Sequence, residues 1–175
     1  MSFFQTAPQL GNQFDEDALL REYLERVLPR EVLRACTDLL RSMGALAADH
    51  LLELTSLARK EEPQLVEFDP WGRRIDEIRT PEAWRTLARI ASEQGLVGIP
   101  YERRHGAYSR IHQFAMVYLF APSSAVYTCP LAMSDGAVRT LQSHGNAALI
   151  DRAVAMMQAA QFPRPESALD DVYVK

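Results

Sequence analysis

Only two cysteines occur in 175 residues, Cys36 and Cys129. They can build neither a disulfide framework nor a four-cysteine zinc site, and both read as reduced thiols in the core. No apolar run approaches the roughly 18 residues needed to cross a bilayer. The opening Met1-Ser2-Phe3-Phe4-Gln5 lacks the basic-then-apolar order of a secretory leader. The expected location is therefore cytoplasmic, with no membrane partner. Lysine is nearly missing, with Lys60 and Lys175 the two among 19 basic residues. The surplus of arginine is compatible with bidentate anion contacts and equally with genome composition. A net charge of −4 argues against a nucleic-acid-binding module, because neutralising phosphates requires a basic surface. The acids are concentrated early: residues 1–70 hold 13 acids and 7 bases, the remainder 10 and 12.

Catalytic motifs are missing as well. There is no Gly-x-Gly-x-x-Gly and no Gly-Lys-Ser/Thr phosphate loop, so no familiar backbone cradle for a nucleotide. There is no Gly-x-Ser-x-Gly elbow and no recognisable Cys/His nucleophile pair. The four histidines, His50, His105, His112 and His144, show no metal-ligand spacing. No catalytic or metal-binding residue is assigned from spacing alone.

What is present is an average globular composition, 47% apolar and 24% charged, enough for one domain with at most a small appendage. Residues 1–14, with Gly11-Asn12, read as an extended arm. Asp15-Glu16-Asp17 places acids at a helix start. Behind them Leu20, Tyr23, Leu24, Val27 and Leu28 form one helical stripe that Pro29 stops. From Arg30 to Arg59 the stripe runs through Val32, Leu33, Cys36, Leu39, Leu40, Met43, Ala47, Leu51, Leu54 and Leu57. This predicts two helices, or one that bends at Gly44. Asp69-Pro70-Trp71-Gly72 is turn chemistry between short apolar alternations, so an irregular ribbon or hairpin is expected near 65–79. Thr80-Pro81-Glu82 starts a helix that ends at Gly95. A helix through Ile111, Phe114, Ala115, Tyr118 and Leu119 follows, interrupted at Pro122-Ser123-Ser124. Tyr127 to Met133 has no clear period, Ser134 caps a helix to Gly145, and a last helix covers 146–161. The expected fold is mainly α, a helical bundle of six or seven helices over residues 1–161, with 162–175 as a linker.

Several residues invite a functional reading beside a structural one. His50 falls on the apolar face of its stripe, where a core histidine is the common finding. His105 and His112 flank a helix start and read as surface or capping residues. Arg73, Arg74, Arg79, Arg85 and Arg89 can converge on an anion, but solvated pairs with Asp69, Asp76, Glu77 and Glu82 are simpler. Trp71 and Trp84 read as packing anchors.

Three strings in order carry a resemblance. They are Ala7-Pro8-Gln9-Leu10-Gly11-Asn12-Gln13 with Asp17 and Leu20 downstream, Asp69-Pro70-Trp71-Gly72-Arg73-Arg74-Ile75-Asp76-Glu77-Ile78 with Pro81 and Trp84, and Thr128-Cys129-Pro130-Leu131-Ala132-Met133-Ser134-Asp135. Together they resemble the N-terminal domain of the adaptive-response (AidB-like) branch of the acyl-CoA dehydrogenase family, with Ser134 where threonine is usual. The resemblance implies an FAD-dependent oxidoreductase of fatty-acid metabolism. A helical N-terminal domain, a middle β domain and a C-terminal helical bundle would together dehydrogenate an acyl-CoA thioester, in a homo-oligomer. This chain would supply the first part, walling the acyl and flavin pocket. The family's flavin segment and catalytic glutamate have no counterpart here, so FAD is expected in the complete protein and not held tightly by this chain alone. Cys129, Pro130, Met133 and Ser134 form the loop expected to face the pocket. The alternatives are a non-catalytic helical interaction module of a protein linked to DNA damage, or a short paralogue whose partner chain supplies the missing domains.

Overall fold

The computed structural model describes residues 4–6, 9–145, 147–149 and 151–152. Its helices are α1 (Gln13–Glu16), α2 (Ala18–Val27), α3 (Arg30–Ala48), α4 (His50–Ala58), α5 (Glu82–Glu93), α6 (Ile99–Glu102), α7 (Ser109–Phe120) and α8 (Thr128–His144). Two strands, β1 (Gln64–Phe68) and β2 (Arg74–Arg79), form an antiparallel hairpin between α4 and α5. Single 3-10 turns at Gly106–Tyr108 and Ala121–Ser123 flank α7. The fold is mainly helical with one small sheet, more finely divided than six or seven helices because α1 and α6 are four-residue elements. The expected helix at 146–161 and the linker at 162–175 lie largely outside the described residues.

The entry into the bundle is set by two short side chains. The Asn12 side-chain oxygen accepts from the Phe14 and Asp15 amides at 3.0 and 3.2 Å, which ends the arm at Asn12 and winds Gln13 and Phe14 into α1. Asp17 then accepts from the Leu20 amide at 2.8 Å and caps α2. Asn12 also donates to the Arg41 carbonyl at 2.8 Å, pinning the arm across α3.

Gly44 marks that crossing, and it does not break the helix. Helix α3 runs through it, and the break falls at Asp49 (φ −125°, ψ −87°), where α4 begins. The glycine is needed for close approach: a β-carbon there would stand 2.5 Å from the Phe14 amide nitrogen. Periodicity registers the apolar stripe on both sides of Gly44 but not the chain that lies over it.

The core lies where α3, α4, α5 and α7 meet. Leu24, Leu40, Met43, Leu51, Leu87, Leu96, Met116 and Phe120 are fully buried there, together with Cys36. Helix α3 packs on α1 and α7, α4 packs on α5, and α6 packs on α7. Ser123 reaches the Ala47 carbonyl at 3.0 Å, tying the turn after α7 to the end of α3.

The hairpin follows its turn chemistry. Asp69 Oδ1 accepts from the Trp71 and Arg73 amides, both at 2.9 Å, and Gly72 takes the left-handed φ of 84° that closes the turn. Strand pairing runs Gln64 opposite Arg79 to Phe68 opposite Arg74, with an irregularity between Val66 and Phe68. Trp71 at its tip is 88% exposed. Among the described residues it is no packing anchor, contrary to the role expected for it.

Candidate functional site

The segment 125–135 combines strained backbone, exposed apolar side chains and a rigid support. Ala125 and Val126 both have positive φ, 44° and 66°. That conformation is costly for a β-branched residue. It turns the chain from the end of α7 into α8 and leaves Val126 75% exposed.

Helix α8 starts at Thr128, which corrects the expected loop with a cap at Ser134. Proline is tolerated in a first helical turn because the missing amide has no helical partner there. Cys129 and Pro130 therefore sit in the opening turn, and the Ser134 hydroxyl donates to the Pro130 carbonyl at 2.9 Å instead of capping. The sequence shows no apolar period here because this end of the helix is not buried: Cys129, Met133 and Ser134 are exposed and Pro130 is half-buried. Cys129 and Met133 stand four residues apart in α8 and share one face, and Val126 is exposed in the turn just before it.

The opposite side of α8 is tied down. Trp84 meets Tyr127 edge to face, with ring centroids 4.8 Å apart, so of the two tryptophans this one acts as the packing anchor. Val138 is buried. Asp135 is the hub: it accepts from Arg110 Nη1 at 2.5 Å, from Tyr101 Oη and from Gln113 Nε2 at 3.4 Å. Gln113 also donates to the Leu96 carbonyl at 2.9 Å, and the Arg110 guanidinium lies over the Tyr101 ring, 5.3 Å from its centroid. Burial acts to raise the Asp135 carboxyl, but the hydrogen bonds from Arg110 and Tyr101 and the arginine's charge outweigh it. The net position is below the usual carboxylate range. Helices α6, α7 and α8 and the loop after α5 are thus joined through one carboxylate. Tyr101, Arg110 and Gln113 carried no sequence signal, since partners so far apart in the chain have no local spacing to detect.

The two thiols diverge, which corrects their joint assignment to the core. Cys36 is fully buried and burial pushes its thiol up to about 11, whereas Cys129 is exposed. A water-soluble disulfide reagent should therefore titrate one thiol rapidly in the native chain, and the second only in denaturant. Cys129→Ser should abolish the fast phase. Two fast thiols would contradict this placement.

The histidines also differ from expectation. His50, read as a core residue, is exposed at the start of α4. His144 is exposed, with Nδ1 2.9 Å from the Thr140 carbonyl oxygen. His112, read as a surface residue, is 3% exposed on α7. Burial and the neighbouring His105 push its pKa down to about 4. His105 is half-buried with its amide donating to Ser109 Oγ at 3.0 Å. Although no metal spacing is visible in the sequence, the fold brings Cys36, His105 and His112 together, one ligand atom of each within 4.8 Å of the others.

The arginines take the simpler alternative. Arg74 pairs with Asp76 at 2.8 Å, Arg79 with Glu77 at 3.1 Å, Arg85 with Glu82 at 3.8 Å and Arg89 with Glu93 at 3.0 Å. All four are solvated surface pairs and do not converge on an anion site.

The described residues do not fit a flavin cradle. Two clefts among them hold about 200 and 170 Å³, below the roughly 300 Å³ at which small-molecule sites begin. Neither is lined by a glycine-rich turn. Among the described residues no helix is long and apolar enough to cross a membrane.

Comparison with known proteins gives the family. A family model described as the adaptive response protein AidB N-terminal domain matches residues 5–162. Acyl-CoA dehydrogenase family member 11 of Caenorhabditis elegans is 38% identical over 143 residues, which is 81% of this chain and 23% of that protein. The putative acyl-CoA dehydrogenase AidB of Escherichia coli K12 is 32% identical over 108 residues, 60% of this chain and 20% of that protein. Among solved structures, the apo form of Bd2924 superposes with a TM-score of 0.85 at 40% identity, covering 91% of this chain and 32% of the other. The Caenorhabditis elegans ACDH-11 complex with C11-CoA superposes with a TM-score of 0.83 at 34% identity, covering 91% and 28%. The chain thus spans about a fifth to a quarter of the length of these curated relatives. Sequence match and fold agree, and the chain belongs to the family of adaptive response protein AidB N-terminal domains, found in acyl-CoA dehydrogenase-like proteins.

Proposed function

We propose that this chain is the N-terminal helical wall of an FAD-dependent enzyme that dehydrogenates acyl-CoA thioesters, and that the exposed face of α8 closes against the domains carrying the flavin. The observation that carries the reading is the exposed Cys129–Met133 face of α8, which follows a strained turn bearing exposed Val126 and sits on a helix clamped from behind. An apolar face held this rigidly is built for contact, since flexible surface side chains need no such support. A relative solved with an acyl-CoA bound supports the substrate class. The hairpin supports a larger assembly, because Leu65, Phe68, Trp71 and Ile78 all stand uncovered. The homo-oligomer expected for the family supplies their cover.

In this reading the chain contributes shape and water exclusion. The flavin and the base that removes the α-proton come from the domains that follow. Purified alone, the chain should stay colourless after incubation with FAD and desalting, and should not oxidise an acyl-CoA. Within the full-length protein, Met133→Glu should weaken acyl-CoA binding or flavin retention at least roughly tenfold, because a carboxylate would be desolvated at the contact. A yellow, active 175-residue chain would overturn the proposal. So would a Met133→Glu full-length protein with unchanged flavin content and acyl-CoA affinity.

A further inference from the structure

A second site lies between α3 and α7, and its residues come from three separated parts of the chain. Cys36 projects from the middle of α3, His112 from the first turns of α7, and His105 from the loop that leads into α7. We propose that Cys36, His105 and His112 form a binding site for a zinc ion.

The donor set is the first support. One thiol and two imidazoles are the usual partners of zinc, and three protein ligands with an open fourth position are a common arrangement for it. One ligand atom from each residue already lies within 4.8 Å of the others. Bond lengths of about 2.0–2.1 Å to nitrogen and 2.3 Å to sulfur separate tetrahedral ligands by roughly 3.3–3.7 Å. Small side-chain rotations therefore close the site. The two imidazoles already face one another, with ring centroids 5.5 Å apart and planes inclined at 59°.

The second support is independent of proximity. Both ring nitrogens of His112 are buried without a hydrogen-bond partner among the described residues. Orphaned buried polar atoms are rare in folded proteins and call for an explanation such as a bound ion. A metal would satisfy one of these nitrogens directly.

The third support is access. A cleft of about 170 Å³ opens onto His105 and His112, giving an ion a route inward. Glu102 lines the same cleft and is paired with Arg104 at 2.7 Å. The fourth place is left to water from this cleft. The local chain is braced for this role: the His105 amide is held by Ser109 Oγ at 3.0 Å, which fixes the loop against α7.

The test uses the untagged chain carrying Cys129→Ser, so that the exposed thiol cannot bind metal. After chelation the protein is titrated with Co²⁺, then with competing Zn²⁺. The expected result is one cobalt per chain, a thiolate-to-cobalt charge-transfer band, and displacement by zinc. Cys36→Ala should abolish the band. His105→Ala, at the half-exposed rim where folding is least disturbed, should weaken cobalt binding at least tenfold. His112→Gln should do the same, and circular dichroism would separate lost binding from lost fold. Absence of a thiolate band at one equivalent would overturn the proposal. Cobalt affinity unchanged in folded His105→Ala would overturn it equally.

Discussion

Gly44→Ala is expected to destabilise the chain by about 2 kcal/mol, the opposite sign from helix propensity, which favours alanine over glycine by about 1 kcal/mol in a helix interior. The reason is the arm lying over α3. An added β-carbon would stand 2.3 Å from Asn12 Oδ1, 2.5 Å from the Phe14 amide nitrogen and 2.8 Å from Phe14 Cβ. One of these is backbone, so no side-chain rotation relieves the clash, and overpacking of this kind costs about 1–3 kcal/mol. The displaced groups carry their own contributions. Asn12 caps α1 and bonds the Arg41 carbonyl, and Phe14 is 4% exposed in the core. Fully burying a phenylalanine is worth about 1.5–3 kcal/mol, so partial loss of the Phe14 burial contributes about 1 kcal/mol. For a chain of this size the net loss lowers the thermal midpoint by roughly 4–8 °C. A midpoint equal to or above that of the parent chain would show that the arm does not press on α3.

Asp135→Ala is expected to cost about 2–3 kcal/mol. A charge-assisted hydrogen bond contributes roughly 1.5–3 kcal/mol, and removing one partner leaves the others unpaired. Arg110, Tyr101 and Gln113 would all lose their common acceptor. The figure is held below that of a fully buried pair because the Arg110 side chain is 36% exposed and that of Asp135 20%. The sign with pH follows from the depressed carboxyl of Asp135. A group whose folded pKa lies below its unfolded value of about 4 stabilises the fold above that value, and the contribution is lost as pH falls through the folded pKa. Unfolding in urea should therefore show the gap between Asp135→Ala and the parent chain narrowing below about pH 4. A double-mutant cycle with Arg110→Ala isolates the ion pair. Stability unchanged by Asp135→Ala at neutral pH would remove the clamp as the support of α8.

The hairpin and most helices were legible because their causes are local. The Asp69–Gly72 turn and the stripe from Leu20 to Leu28 each depend on neighbours within a few residues. The start of α8 was not legible, because an exposed helix face has no apolar period to read. The candidate contact face was placed at Cys129, Pro130, Met133 and Ser134 from a resemblance. The positive φ at Ala125 and Val126, which turns the chain into α8, leaves no mark in residue types that disfavour that conformation.

By itself the sequence determined the helical class, the hairpin turn and the family, because periodicity, turn residues and ordered motifs are properties of adjacent positions. Tertiary structure alone decided that Gly44 is a crossing point, that Asp135 joins three helices, and that Cys36, His105 and His112 meet. Each depends on which helix faces which, and that is settled by the packing of the whole core.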